Sequence, residues 1–198
     1  MTSPGPTGVG QVFVAVDVCY PRGGTARAAL VAAHEPRFEV VAWSRTAKVA
    51  QAAAYRPGEF WLRELPPVRA VCRGVLGLAL IVVDAYVDLN PAGKPGLGAR
   101  VHADIGVPVI GVAKTSFRGA THAAAVLRGR SARPLYVTAA GLSVPDAARL
   151  VGQMSGRHRI PDALRLADRL ARGLDPPTCQ QADPGCADGQ SCRVRGGE

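Results

Sequence analysis

Apolar positions along this chain fall into two kinds of pattern. VFVAVDVCY (12–20), LALIVVDAY (78–86) and VPVIGVAK (107–114) are near-continuous apolar runs rich in β-branched side chains, the mark of strands buried on both faces. ARAALVAA (26–33), the segment 37–44 and RPLYVTA (133–139) read as further strands. PRGG (21–24) and HEPR (34–37) are turn sequences, so the first three strands are expected to form an antiparallel meander. Elsewhere the apolar spacing is helical. A helix is expected from about Pro66 to Leu76, opened by its Pro-Pro pair. A second follows the NPAGKPG loop at about 97–105. SVPDAARLVGQM (143–154) has Ser143 as N-cap, and PDALRLADRLARG (161–173) is closed by Gly173. No internal repeat is visible.

A three-strand meander followed by alternating helices and strands is the element order of an α/β, ribonuclease H-like mixed sheet flanked by helices. A doubly wound nucleotide-binding fold would alternate from the start. GPTGVG (5–10) precedes the first strand rather than following it, which is the wrong place for a phosphate loop. One domain is expected over 11–173. Residues 1–10 read as a loose N-terminus. Residues 174–198, rich in Pro, Gly, Gln and Asp, read as a disordered tail.

Two of the buried strands carry a carboxylate, Asp17 in the first and Asp84 at the end of LALIVV. A buried carboxylate is costly unless it is paired, neutral or metal-bound. In a mixed sheet of this order the two strands are neighbours, which would bring Asp17 and Asp84 together. Two close carboxylates ionise together only with a cation between them, and oxygen donors suit Mg²⁺ or Mn²⁺. The other reading has Asp84 capping a turn and Asp17 as a lone paired acid. Glu64, in YRPGEFWLRELPP (55–67), is a third candidate acid, beside aromatics and a Pro-Gly turn that suit a wedge or a stacking platform.

The 198 residues carry a formal net charge of +9 with a pI near 10.0, which favours a polyanionic partner such as nucleic acid. An arginine-rich proteome would give the same bulk charge. All but three of the 24 basic residues are arginines, the lysines being Lys48, Lys94 and Lys114. The tail holds four acids against two arginines, so the basic charge belongs to the rest of the chain. No apolar run approaches the roughly 18 residues of a membrane span, and MTSPGPTGVG lacks the marks of a signal peptide. The expected location is cytoplasmic, the expected state monomeric. Cys19 and Cys72 lie in apolar segments and read as buried free thiols. Cys179, Cys186 and Cys192 are spaced more widely than zinc ligand pairs.

Six segments then resemble one family in order. VDVCY (16–20), YRPGEFWLRE (55–64), IVVDAY (81–86), PVIGVAK (108–114), PLYV (134–137) and RLADRLA (165–171) are similar to the motifs of the endonuclease V family, nucleases that act at deaminated bases. The resemblance implies that Asp17, Glu64 and Asp84 bind metal, that Lys114 faces the scissile phosphate, and that Asp168 completes or supports the metal site. It implies a wedge containing Tyr55, Pro57 and Gly58, and a base pocket whose wall includes backbone near Gly111 and Val112. The implied reaction is Mg²⁺-dependent hydrolysis of a phosphodiester one nucleotide 3′ of hypoxanthine, in deoxyinosine-containing DNA or inosine-containing RNA, in nucleic-acid repair.

The chain departs from that family in one loop. Where the family continues with Gly-His-Gly and then His-Pro, this sequence reads DAYVDLNP (84–91), with Ala85 and Tyr86 for Gly-His and Asn90 before Pro91. Asparagine can ligate or hydrogen-bond through its oxygen but cannot carry a proton as histidine does. Asp88 either replaces a ligand or solvates the loop. None of His34, His102, His122 and His158 falls in a motif that restores the histidine. The alternative to an active enzyme is therefore a nucleic-acid-binding paralogue that cuts poorly or not at all.

Overall fold

The computed structural model describes residues 10–21, 25–50 and 61–174. Tyr55, Pro57, Gly58, most of the PRGG turn, both termini and Cys179, Cys186 and Cys192 lie outside the described residues. The described chain forms β1 (Val12–Cys19), β2 (Ala26–Ala33), β3 (Trp43–Val49), α1 (Trp61–Cys72), β4 (Leu78–Val83), α2 (Leu97–Ile105), β5 (Val109–Ala113), β6 (Ala124–Val126), β7 (Leu135–Ala140), α3 (Val144–Gln153) and α4 (Asp162–Ala171).

These strands make one mixed sheet in the order β3-β2-β1-β4-β5-β7-β6. The first three are antiparallel, β1, β4 and β5 run parallel, and β7 returns antiparallel to β5. This is the ribonuclease H-like arrangement that the element order implied. The period-two pleat divides the core. Ala15, Val82, Ile110, Val112 and Val137 face α3 and α4, packing on Ala147, Val151, Leu164 and Ala167. Val12, Val14, Val16, Ile81 and Val83 face α1 and α2, packing on Val68, Val71 and Val101.

Three expected boundaries moved, each for a local reason. The third strand starts at Trp43 rather than 37. Glu35 accepts from the backbone N–H groups of Arg37 and Glu39, and Phe38 takes a left-handed φ of 56° with its ring buried, so 34–39 is a wide turn. The strand follows where Ser44, Thr46 and Lys48 alternate outward. The first helix begins at Trp61, with Pro66 and Pro67 in its interior. Each proline removes a helix hydrogen bond, but Glu64, Pro67, Val68, Val71 and Cys72 form one buried stripe, and its packing outweighs propensity. That helix stops at Cys72, where Arg45 of β3 donates to the carbonyls of Val71 (2.7 Å) and Arg73 (2.8 Å), a cationic cap at the negative end of the dipole. β6 has only three residues and left no readable pattern.

Other expectations held. Ser143 caps α3, its hydroxyl accepting from the N–H of Asp146 at 3.2 Å. Cys72 is a buried free thiol, its pKa pushed by burial up to about 12. Cys19 is a free thiol but, against expectation, only half-buried, because it lies at the end of β1 where the sheet opens to the site. Among the described residues no helix is long and apolar enough to cross a membrane. Replacing Ser143 with alanine should cost about 1 kcal/mol of stability, read as a lower urea midpoint with an unchanged m-value, since the cap is distant from the strand ends described next.

Candidate active site

The parallel strands place charged residues at their C-terminal ends. The last register pairs are Val16 with Val83 and Val83 with Gly111. Asp17 and Asp84 are one residue further on, and Lys114 follows the end of β5. Side chains alternate along a strand. Asp17, Asp84 and Lys114 each lie two residues beyond Ala15, Val82 and Val112, so they leave the sheet on the same face. There α4 packs and brings Asp168, beside buried Ala167. Glu64 arrives from α1 on the other face and is 5% exposed. It reaches the group because the acids stand where the sheet ends. Asp17, Glu64 and Asp84 line one cavity of about 60 Å³, with Val16, Val68 and Leu97.

The charges act strongly on one another. Asp17 is pushed from the ordinary carboxylate range up to about 7, first by burial and then by Asp84, with Asp168 adding to the push. Glu64 is pushed up to about 8, first by burial and then by Asp17 and Asp84, against the pull of the Tyr20 hydroxyl and Arg63. Burial works against the Lys114 ammonium, but Asp84, Asp17 and Asp168 override it and raise its pKa. Lys114 Nζ is ion-paired with Asp84 Oδ2. Asp168 accepts from Arg172 Nε at 2.8 Å. Arg63 stacks on the Tyr20 ring 4.0 Å from its centroid, which places an aromatic and a cation behind Glu64.

These residues fit a hard divalent cation. The donors are carboxylate oxygens, the cavity admits an ion, and a positive charge there offsets the burial and the mutual repulsion that raise Asp17 and Glu64. Among the described residues no three His, Cys, Asp or Glu side chains stand as a ready cage. Asp84 is turned to Lys114 and Asp168 to Arg172.

A larger cavity of about 400 Å³ opens beside the acids, lined by Trp61, Tyr86, Leu89 and Leu97, with Asp84, Lys114 and Thr115 at its polar side. Trp61 is held by Arg100, 4.3 Å above its ring. The loop that departs from the family pattern forms one wall. Tyr86 Oη donates to the Thr115 carbonyl (2.8 Å) and accepts from the Phe117 N–H (3.0 Å), tying the exit of β4 to the exit of β5. Gly111 lies beneath this loop, where a Cβ would stand 2.4 Å from the Ala85 carbonyl oxygen and 2.8 Å from Val87 N. Thr138 Oγ1 accepts from Val87 N–H at 2.8 Å. Asn90 Oδ1 accepts from the N–H of Lys94 at 2.9 Å, so its amide oxygen braces its own loop. Asp88 sits in the same closed loop, bridged to Pro95. His102 Nδ1 binds the Val107 carbonyl (2.7 Å), a structural contact.

Sequence reasoning did not single out the Tyr86 tie, nor the two arginines that hold the segment 154–159. Arg128 and Arg159 stand in loops whose composition signals nothing beyond charge.

A cluster of acids beside a lysine at the ends of parallel strands, in a ribonuclease H-like sheet, is an arrangement suited to chemistry on a phosphodiester. The comparisons make this specific. The family model for endonuclease V matches residues 4–169. Endonuclease V of Thermococcus kodakarensis is 33% identical over 160 residues, covering 80% of this chain and 77% of that one. Endonuclease V of Alkalilimnicola ehrlichii is 34% identical over 192 residues, with 84% and 82% covered. The crystal structure of Streptomyces avermitilis endonuclease V superposes with a TM-score of 0.69 at 27% identity, covering 83% of this chain and 81% of that one. Ciona intestinalis endonuclease V, in complex with DNA containing an inosine, shares the fold at 18% identity, with a TM-score of 0.70 and coverage of 82% and 84%. The chain belongs to the endonuclease V family, a family of nucleases.

Two outcomes test this geometry. Between about pH 4 and pH 8 Asp17 and Glu64 keep protons in the folded state that the unfolded chain has already released, so their contribution to stability falls as pH rises through that window. Without metal, the melting temperature should drop more from pH 5 to pH 8 in the wild type than in Asp17→Asn/Glu64→Gln, and Mg²⁺ should recover the loss at pH 8. Gly111→Ala should destabilise by about 1–3 kcal/mol by thermal melting, because backbone atoms of the 85–87 loop must move.

Proposed function

We propose that this protein is a divalent-metal-dependent endonuclease that hydrolyses a phosphodiester one nucleotide 3′ of a deaminated base, deoxyinosine in DNA or inosine in RNA, in nucleic-acid repair. The observation that carries the reading is the meeting of Asp17, Glu64 and Asp84 beside Lys114 at the mouth of a base-sized cavity. The inosine-containing DNA bound by the Ciona relative supports the choice of substrate.

Asp17, Glu64 and Asp84 would hold Mg²⁺, with Mn²⁺ as a substitute, and Asp168 would support them through its field on Asp17 and Lys114. An ion held there would supply activation of the attacking water and charge stabilisation for the leaving 3′ oxygen. Lys114 places an ammonium where negative charge develops on the phosphate. It must first turn from Asp84, and a phosphate oxygen arriving with the substrate is the natural replacement partner. The extruded base would enter the 400 Å³ cavity, stack against the Trp61 side and meet backbone of the Ala85–Val87 loop over Gly111. Tyr55, Pro57 and Gly58 would fill the gap left in the duplex. Asn90 would shape the loop near the phosphate rather than move a proton, since its oxygen is already engaged. The basic chain would bind its polyanionic partner as a monomer in the cytoplasm.

The test is cleavage of labelled oligonucleotides carrying one inosine, in single- and double-stranded DNA and in RNA, with Mg²⁺, Mn²⁺ or EDTA. A metal-dependent cut one nucleotide 3′ of inosine is expected, with Asp84→Ala reducing its rate at least about 100-fold. Intact binding of these oligonucleotides without a cut in either metal would instead establish the non-catalytic paralogue.

A further inference from the structure

Lys114 lies on an exposed turn after β5, and a lysine side chain has four rotatable carbons with which to wander. The chain around it is nevertheless held firmly. Arg159 Nη2 donates to the Lys114 carbonyl and to the Pro134 carbonyl, the latter at 2.7 Å. One guanidinium thus joins the exit of β5 to the entry of β7. The residue that supplies it sits in the 154–160 connection between α3 and α4, which has no regular structure of its own.

That connection is fixed by a second arginine. Arg128 is 5% exposed and turns its guanidinium into a ring of backbone carbonyls. Nη1 donates to His158 (3.1 Å) and Arg159 (3.3 Å). Nη2 donates to Met154, to Ser155 (3.4 Å) and to Gly156 (3.2 Å). A buried charge of this kind is expensive unless its donors are met; here both terminal nitrogens are met by carbonyls of one loop, while Nε has no hydrogen-bond partner. The loop also runs against Gly129, where a Cβ would stand 2.3 Å from the Arg157 carbonyl oxygen.

We propose that Arg159 is a positioning residue for Lys114: Arg128 fixes the 154–159 loop, and Arg159 carries that rigidity to the backbone of the lysine, aiming its ammonium at the Asp84 corner of the site. On the other side of the same turn, Tyr86 holds Thr115 and Phe117. Among the described residues Arg159 makes no hydrogen bond or ion pair with Asp17, Glu64 or Asp84, and its contact nearest to them is the Lys114 carbonyl, so the proposed effect passes through Lys114.

The catalytic half of the test rests on the proposed function, so it is paired with a readout that does not. Arg159→Gln, which keeps one N–H₂ donor, and Arg159→Ala are compared with the wild type in single-turnover cleavage of an inosine oligonucleotide, each also in a Lys114→Met background. Loss of aim should lower the rate about 10–100-fold for Arg159→Ala, with Arg159→Gln retaining more activity and the affinity for uncleaved oligonucleotide unchanged. In the Lys114→Met background the same substitution should change the rate less than about 2-fold. An additive loss there, or weaker binding with a shallower salt dependence, would assign Arg159 a separate role and overturn the proposal.

The second readout is the ¹³Cε NMR signals of protein grown with labelled lysine. The three lysines give three signals, and Lys114 should stand apart in the wild type through its pairing with Asp84. Arg159→Ala should move only that signal toward the other two while the fold, judged by far-UV circular dichroism, is kept. An unmoved Lys114 signal would overturn the proposal. Should the wild type not cleave, the proposed function fails, and the NMR result still decides whether Arg159 positions Lys114. Should Arg159→Ala not fold, Arg159→Gln decides both readouts.

Discussion

The parallel pairing of β1, β4 and β5 is the constraint on which the site depends. It sets three strand ends at one level, and the two-residue pleat puts Asp17, Asp84 and Lys114 on one face. A slip of one residue in any of these strands would send its charged end to the opposite face. The register is held by the two apolar cores, since Val14 and Val16 must meet α1 and α2 while Ala15 and Val82 meet α3 and α4. The core thus aims the chemistry, and the cost of placing carboxylates at its edge appears in the raised proton affinities of Asp17 and Glu64.

Around this frame the loop after β4 is held by backbone contacts as well as by the burial of Val87 in the core. Gly96, Gly98 and Gly111 all admit the 85–89 loop at distances that a side chain would forbid. Thr138 accepts from the loop's own Val87 N–H, and Tyr86 reaches out of the loop to the Thr115 carbonyl. Tyr86 occupies the loop where a family histidine is expected, and its hydroxyl makes a cross-strand tie. The departure from the family pattern thus has a structural use in this chain.

The fold was largely legible because apolar runs, turn residues and caps agreed with one another. The errors fell where tertiary contact overrode local preference: Pro66 and Pro67 inside α1, and Phe38 plugging a turn that Glu35 widens. Asp17 and Asp84 were legible as charges inside strand-like runs, the one place where a charge demands a reason, whereas Glu64 stood out beside an aromatic Pro-Gly segment and Lys114 and Asp168 only through the family resemblance. Tyr86, Arg128 and Arg159 were not, because their partners are backbone carbonyls and amides distant in sequence, and any residue supplies those. The segment bearing Tyr55, Pro57 and Gly58 lies outside the described residues, so its role stands as proposed.

The central claim is that Asp17, Glu64 and Asp84 form one cation site facing Lys114. Its most direct measurement is an anomalous difference map from crystals soaked in Mn²⁺. The account predicts a peak in the cavity shared by these three carboxylates, with Lys114 Nζ displaced from Asp84. A strong peak ligated by other residues, or an empty cavity in crystals whose Mn²⁺ is ordered elsewhere, would contradict it.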